Sequence, residues 1–395
     1  MKFLEDLVNK VKPQFEKGGK LEKFYYVFEG FETFLFQMGN TTSGKGVHVR
    51  DAIDLKRLMM TVVISMVPAL LFGMWNVGHQ HYLAVGEEAG LWLKFLIGLK
   101  VTLPIIIVSY VVGLGIEFFI ASLKKHPINE GFLVSGMLIP LVMPPTIPLW
   151  QVALATAFAV VIAKEVFGGT GMNILNVALT ARAFLYFAYP MQISGEVWTY
   201  LGGAATVDGY SGATPLAVTA ATEGANNVVT ALASTWHGDM YNFSNMFFGF
   251  IPGSIGETST LMALLGAVLL ILTGVGSWKI IVSVFTGAYA MGWIFNLWGA
   301  TPFMQLPPHF HLVMGGLAFG AVFMATDPVT AAQTEKGKWI YGFLIGMLTV
   351  LIRVFNPAYP EGIMLAILLM NVFAPLIDFY IVKANKKRRL QRATV

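Results

Sequence analysis

Long apolar blocks separated by short polar stretches dominate the chain. A hydrocarbon core about 30 Å thick needs ~20 mostly apolar residues per helix, with ~17 as a floor. Spans are predicted near 58–75, 101–122, 131–145, 150–167, 174–189, 259–276, 280–298, 310–326, 339–355 and 362–382, ten in all. The third and fifth are short, and the third carries Pro140, Pro144 and Pro145. Proline and glycine interrupt a span only where protein or a cavity satisfies the freed backbone. Residues 1–57 are polar and basic, so no cleavable signal peptide is expected. Within them, residues 2–15 alternate apolar and charged positions at helical spacing, which predicts an interfacial or docking helix.

The pattern repeats. Residues 132–190 resemble residues 313–380 at an offset of 181 to 189. Met143-Pro-Pro-Thr146 faces Met324-Ala-Thr-Asp-Pro-Val-Thr330. Trp150 opens a span ending in Val160-Val-Ile-Ala-Lys164-Glu-Val-Phe167, and Trp339 opens one ending in Val350-Leu-Ile-Arg353-Val-Phe355. The competing explanation is chance similarity between apolar segments interrupted by glycine and proline. Ten spans in two halves give an odd number per half, so the halves are inverted in the membrane. The expected fold is an all-α polytopic membrane protein, ten transmembrane helices in a 5+5 inverted repeat with broken helices. Such repeats place functional sites near the midplane.

Composition narrows the classes. Of 395 residues, 56% are hydrophobic and only 12% charged, with 41 glycines and a mean hydropathy of +0.66. That excludes a soluble globular enzyme, a disordered protein and a disulfide scaffold. With no cysteine, it also excludes iron–sulfur clusters, Cys-type zinc sites and cysteine nucleophiles. The basic residues set the orientation. Residues 1–57 hold ten Lys/Arg and the tail from Lys383 to Arg392 holds six. Both termini therefore face the cytoplasm. Lys124, Lys125, Lys164, Lys279, Lys336 and Lys338 fall on the same side, bringing 22 of 26 basic residues there. Lys94, Lys100, Arg182 and Arg353 do not fit. The region 190–257 has no Lys or Arg and is predicted to be the main extracytoplasmic feature. The expected organisation is a cytoplasmic segment 1–57, a first five-helix half 58–189, the loop 190–257, a second half 258–382 and a basic tail 383–395.

Several segments can carry chemistry. The loop contains Asp208-Gly-Tyr-Ser211-Gly212-Ala213-Thr214. On physics alone Gly212 permits a tight turn between two hydroxyls, and an ordinary Gly/Ser turn explains it as well. In the second span, Gly113 and Gly115 flank Leu114 and thin the helix surface, and Glu117 is ionisable at membrane depth. Small-residue helix packing with Glu117 reaching the interface is the alternative. Gly168-Gly-Thr-Gly-Met-Asn173-Ile-Leu-Asn176 is a glycine-rich turn before a helix, suited to a polar ring or to helix packing. Asp327 lies after the eighth span, where an Asp-Pro turn is the plain reading, and Asp378 lies inside the tenth. The pairs His79/His81 and His309/His311 sit at span ends partly in water, which argues against a haem or metal role. No dinucleotide-binding fingerprint is present.

The motif from Asp208 to Thr214 resembles the flavinylation motif of the sodium-translocating NADH:quinone reductases and the related Rnf electron-transport complexes. The resemblance covers nearly the whole chain and is nearest to the B-subunit family of the reductases. It is carried by Gly18-Gly-Lys20-Leu-Glu22-Lys23, His48-Val-Arg50-Asp51, Asp54-Leu-Lys56-Arg57 and Asn129-Glu130-Gly131-Phe132. Further matches are Ala163-Lys-Glu-Val-Phe-Gly-Gly-Thr-Gly171, Ile251-Pro-Gly-Ser-Ile-Gly-Glu257, Asn356-Pro-Ala-Tyr-Pro-Glu-Gly362 and Ala374-Pro-Leu-Ile-Asp378. Rnf D subunits share the motif but, as the pattern implies, lack the long segment 1–57. A flavin-free transporter of the same architecture is the other reading.

The resemblance implies FMN on the Thr214 hydroxyl as a phosphoester, with Asp208, Ser211, Gly212 and Ala213 around it. It implies noncovalent riboflavin near Asn173 and Asn176, where Val177 stands in place of the family's proline. It implies ubiquinone as substrate near Gly113, Leu114 and Glu117, with Leu114 replacing a family glycine. Glu29, Glu117, Asp327 and Asp378 are implied in sodium handling. The implied partners are five other subunits (A, C, D, E and F), quinone, sodium, lipid and a flavin transferase, with no nucleic acid. NADH oxidation then belongs to another subunit, and the implied location is a bacterial inner membrane.

Overall fold

The computed structural model describes residues 55–124, 131–194, 197–222 and 227–393, with scattered positions between 8 and 36. Half of the predicted helix over 2–15 lies outside the described residues. Among the described residues every regular element is helical. In chain order they are α1 (Leu55–Val85), α2 (Leu91–Lys124), α3 (Phe132–Leu141), α4 (Leu149–Phe158) and α5 (Val177–Ala188). Three short helices follow, α6 (Pro215–Ala221), α7 (Val228–Ala233) and α8 (Phe243–Phe248). The rest are α9 (Thr260–Leu272), α10 (Trp278–Trp298), α11 (Phe310–Val313), α12 (Leu317–Phe319), α13 (Glu335–Phe355) and α14 (Ile363–Ala393). π-Helical turns extend α4 over Ala159–Glu165 and α12 over Gly320–Met324.

Each of the ten predicted apolar blocks is helical at its centre. Five helices, α1, α2, α10, α13 and α14, are long and apolar enough to cross a membrane. Helices α3, α5 and α9 have 10, 12 and 13 residues. At 1.5 Å per residue these reach about 15–20 Å, short of a ~30 Å core. The protein is therefore a multi-pass helical membrane protein, in which the blocks bearing Pro140 and Gly315-Gly316 are broken.

The long helices meet through glycine, as membrane helices do when backbones approach closely. A Cβ on Gly98 of α2 would lie 1.6 Å from the Met74 carbonyl oxygen of α1. One on Gly346 of α13 would lie 2.1 Å from the Val284 carbonyl oxygen of α10. These seams bring both halves around one buried core containing Met66, Ile139, Leu179, Ile281, Phe319 and Tyr341.

The breaks release backbone groups that lipid cannot satisfy. After α3, Leu141 O accepts from Gly256 N (2.7 Å) and Met143 O from Ile255 N (3.2 Å), while Val142 O accepts from the Arg182 guanidinium. At the second break Arg353 plays the same part. Its Nη1 donates to His311 O (2.7 Å), its Nη2 to Met314 O (2.8 Å) and its Nε to Glu361 O (3.1 Å). Arg182 and Arg353 are 1% and 0% exposed. The two arginines that broke the loop-charge pattern are thus the caps of the two interrupted segments.

The Lys/Arg-free region folds on itself. Leu216, Val228, Leu232, Met240, Tyr241 and Met246 form a second small core, closed by Phe303, Leu306 and Met314 from the α10–α12 connection. Val207 N–H donates to Ala84 O (2.9 Å), tying the loop to the end of α1. Residues 251–257 leave this cap and dip between α1 and α3, so close to α1 that a Cβ on Gly73 would lie 1.9 Å from Ile255 O.

Candidate functional site

Two cavities with mainly apolar linings and a few polar groups stand out among the described residues. The larger, about 340 Å3, lies beneath the folded loop. Thr214 lines it and is the N-cap of α6, its Oγ1 accepting from Ala217 N at 3.2 Å. Threonine suits an N-cap because its hydroxyl replaces a missing helical acceptor, and Pro215 occupies the first-turn position where no N–H is needed. Ala213 N–H donates to Ser211 Oγ (3.4 Å), and the Tyr241 hydroxyl donates to Ala213 O. Burial pushes the Tyr241 phenol above its ordinary range, so it stays a neutral donor. Gly212 is buried within the turn. Asp208 is exposed at a turn beside Gly209 (φ +76°) and does not line the cavity.

The far wall was not among the predicted site residues. Arg182 reaches it from α5 and Glu257 from the 251–257 dip, with Nη1 to Oε2 at 3.1 Å. Arg182 Nη1 also donates to Ser254 Oγ at 2.9 Å. The Trp198 ring lies 5.6 Å from the guanidinium carbon. Glu361 Oε1 accepts from Gly316 N (2.6 Å) on the same wall. The signals for these residues were present but unweighted: Arg182 defied the charge pattern, and both carboxylates sit in family-matching segments. Among the described residues Glu257 Oε1 and Arg182 Nε lack a hydrogen-bond partner.

The smaller cavity, about 80 Å3, opens beside Leu58, Met59 and Val62, at the opposite end of α1 from the loop anchor. It unites residues predicted for different roles. Asn173, Asn176, Lys164 and Asp327 all line it. Asn176 caps α5 through Oδ1 to Leu179 N (3.2 Å), and its Nδ2 donates to Asp327 Oδ2 (3.3 Å). Asp327 further accepts from Thr330 Oγ1 (3.1 Å) and Val329 N (3.0 Å). Asn173 turns its amide to Leu175 O (3.1 Å). A drug-sized ligand fills about 300–1,000 Å3. A ring-sized guest therefore requires this cavity to widen, whereas the larger one is already within range.

Lys164 also ion-pairs with Glu117, both 5% exposed or less. It lies in the π-turn of α4; such turns recur at functional sites. Glu117 Oε2 has no partner among the described residues. Gly113 faces the Phe132 ring, which a Cβ would meet at 1.9 Å, so the chain itself fills that notch. Leu114 is half-buried against the core. Gly115 has open space over it.

Asp378 secures the start of α13. Its carboxylate accepts from Gln333 N (2.7 Å), Thr334 N (3.0 Å) and Thr334 Oγ1 (2.6 Å). Glu29 lines neither cavity. His79 Nδ1 lies 3.1 Å from Lys94 Nζ, and His81 Nδ1 lies 2.9 Å from Tyr200 O. His309 is exposed, but His311 is 1% exposed and stacked on Phe303. This corrects the expectation of a partly hydrated residue there, because the second break folds His311 inward under Arg353.

A multi-pass helical protein with two broken segments, one cavity beneath a folded loop and another beside the start of its first long helix is the class these features define. The sequence model of the NQR2, RnfD, RnfE family matches residues 42–387, and the chain belongs to that family. Its relatives include the B subunit of the Na(+)-translocating NADH-quinone reductase from Stutzerimonas stutzeri, 48% identical over 98% of both chains. The proteins of the same name from Chromohalobacter salexigens and Yersinia pestis are each 47% identical over 98% of this chain and 96% and 99% of their own.

The Glu117–Lys164 pair yields a test. Removing one partner of a buried pair typically costs about 3–5 kcal/mol, while replacing both is much milder. Lys164→Met should lower the melting temperature of the purified protein clearly, and Glu117→Gln in the same chain should restore most of the loss. Equal melting temperatures for all variants would show that the pair is not formed.

Proposed function

We propose that this chain is the flavin-carrying B-type membrane subunit of a sodium-translocating NADH–quinone reductase, passing electrons toward quinone while sodium moves outward. The observation that carries the reading is Thr214: the last hydroxyl of a flavinylation-type motif caps a short helix and opens onto a ligand-sized cavity. Relatives of that name covering 98% of the chain support it over the Rnf-type reading. A bound flavin supplies one- and two-electron chemistry that no side chain of this cysteine-free protein offers.

The chain's own residues fit such a group. Thr214 Oγ1 holds its position through Ala217 N, and a phosphoester oxygen there keeps that acceptor role. Asp208, Ser211 and Gly212 form the turn on which the modifying flavin transferase would act. In the proposed orientation both termini are cytoplasmic and the 190–257 region is outside. A flavin on Thr214 then lies across the membrane from the NADH-oxidising side, which gives an ion pump an energetic reason to place one there. Asn173 and Asn176 in the smaller cavity are the proposed holders of riboflavin. Glu117 and Asp327 around that cavity, with Asp378 and Glu29, are the proposed sodium-handling acids. The open face at Gly115, on a different side of α2 from the buried Glu117, is the proposed quinone contact. NADH oxidation and the remaining electron carriers belong to the partner subunits.

Chain expressed with its flavin transferase should be heavier by one FMN less a water in intact-mass analysis. Thr214→Ala should abolish flavin fluorescence on a denaturing gel, while Ser211→Ala lowers it. An unmodified wild-type chain, or an adduct that survives Thr214→Ala, contradicts the assignment.

Quinone contact at α2 is tested by Gly115→Leu, which fills open space without touching Phe132. The assembled complex should show a quinone KM raised by about tenfold at normal flavin content, the loss of roughly one good contact. An unchanged KM removes this face from the account.

A further inference from the structure

We propose that the basic end of α14 is a binding surface for anionic phospholipid headgroups. This surface is separate from both cavities and owes nothing to the flavin reading.

Length places the segment. Helix α14 is one unbroken helix of 31 residues. At 1.5 Å per residue it reaches about 46 Å, against a hydrocarbon core of about 30 Å. It begins at Ile363, buried against Gly320 of the second broken segment. About twenty residues cross the core, which brings the chain to Val382. From Lys383 to Ala393 it continues as helix for about 16 Å more. Rings mark the boundary, because Trp and Tyr gather at the headgroup level. Tyr380 is 61% exposed, and Lys383 Nζ lies 5.9 Å from the centre of the Phe379 ring. Asp378 ties this level of α14 to the start of α13, where Trp339 meets Trp278 of α10 edge to face at 5.6 Å.

Charge identifies the partner. Lys383, Lys386, Lys387, Arg388, Arg389 and Arg392 are six cations within ten residues, and no Asp or Glu follows Asp378. All six are exposed. Among the described residues none of them pairs with a carboxylate; the Lys279 and Lys338 pairs with Glu335 belong to α10 and α13. Lys383 stands three and four positions from Lys386 and Lys387, Arg389 three from both Lys386 and Arg392, and Arg388 four from Arg392. Like charges at those spacings repel along a helix. A short helix that projects from its bundle and repels itself is not stable by propensity alone. The helix dipole favours cations at this end, and an anionic surface relieves the rest.

The distribution of the charges favours a lipid layer over an acidic protein. At 100° per residue the six side chains point all round the helix, with no gap wider than about 100°. A protein partner meets one face, whereas a headgroup layer surrounds a helix that passes through it. That layer is about 5–8 Å deep on each side of the core. Lys383, Lys386 and Lys387 rise through about 6 Å and lie within it. Arg388, Arg389 and Arg392 follow within about 8 Å, one screening length, and their long side chains reach back toward the phosphates. Basic runs placed directly after a membrane helix bind anionic lipid in this way.

The chain has no cysteine, so a single label is specific. The full-length chain with Asn385→Cys, carrying a fluorophore, is reconstituted in phosphatidylcholine vesicles. These contain equal amounts of either doxyl-labelled phosphatidylglycerol or doxyl-labelled phosphatidylcholine. At low salt the phosphatidylglycerol should quench at least about threefold more strongly, as several cations at an anionic surface predict. The excess should vanish in about 1 M NaCl, where the screening length is about 3 Å. Lys383→Gln, Lys386→Gln, Lys387→Gln, Arg388→Gln, Arg389→Gln and Arg392→Gln together keep helix propensity and should leave the two lipids equal. Equal quenching in the chain with its six cations, or an excess that survives their removal or the high salt, overturns the proposal. The salt comparison needs no change to the cations, so it decides even if the sixfold variant misfolds. Equal quenching together with a sixfold variant that fails to assemble with its partner subunits assigns the helix to an acidic protein surface instead.

Discussion

A guanidinium buried where lipid surrounds the protein is the constraint from which most of the structure follows. Arg182 is 1% exposed and bonded to Val142 O, Ser254 and Glu257. Such a group survives burial only when charge and hydrogen bonds are met together. Meeting them joins three parts of the chain: the break after α3, the helix α5, and the 251–257 dip from the loop. Arg353 does the same for the second break, through His311, Met314 and Glu361. The larger cavity lies between these two clasps, and its polar wall is made of the groups that satisfy them.

The polar centre at the smaller cavity is organised differently. Asn176 from the first half meets Asp327 from the second, and Lys164 lines the same space while pairing with Glu117 on α2. A change of charge on any guest there acts on Lys164, and through it on Glu117 of α2. The π-turn at 159–165 puts Lys164 out of the regular helical register. A single ion pair thus links the smaller cavity to the acidic residue of α2.

Much of the fold was legible because the bilayer imposes a length rule on apolar blocks, and all ten blocks are helical where expected. Their lengths were less legible. Hydropathy alone does not place the end of α3 at Leu141, since Val142 and Met143 are equally apolar; Pro144 and Pro145 mark the break only approximately. The site was legible where a local motif encodes it, as at Asp208–Thr214, and opaque where it is assembled from distant segments. Arg182, Glu257 and Glu361 lie 75 and 104 positions apart along the chain and meet only through the breaks. Asp378 is accommodated in an apolar span because Gln333 and Thr334, at the start of another helix, donate to its carboxylate. Gly113 looked like an opening because Phe132, which fills it, is on α3.

The account turns on where a group carried by Thr214 lies. A cryo-electron microscopy map of the flavinylated complex addresses this directly. It should show density continuous from Thr214 Oγ1 into the cavity, with the ring against Trp198, Pro215 and Leu216. A ring lying outside on the exposed face of the 190–257 region, with that cavity unoccupied, would contradict it.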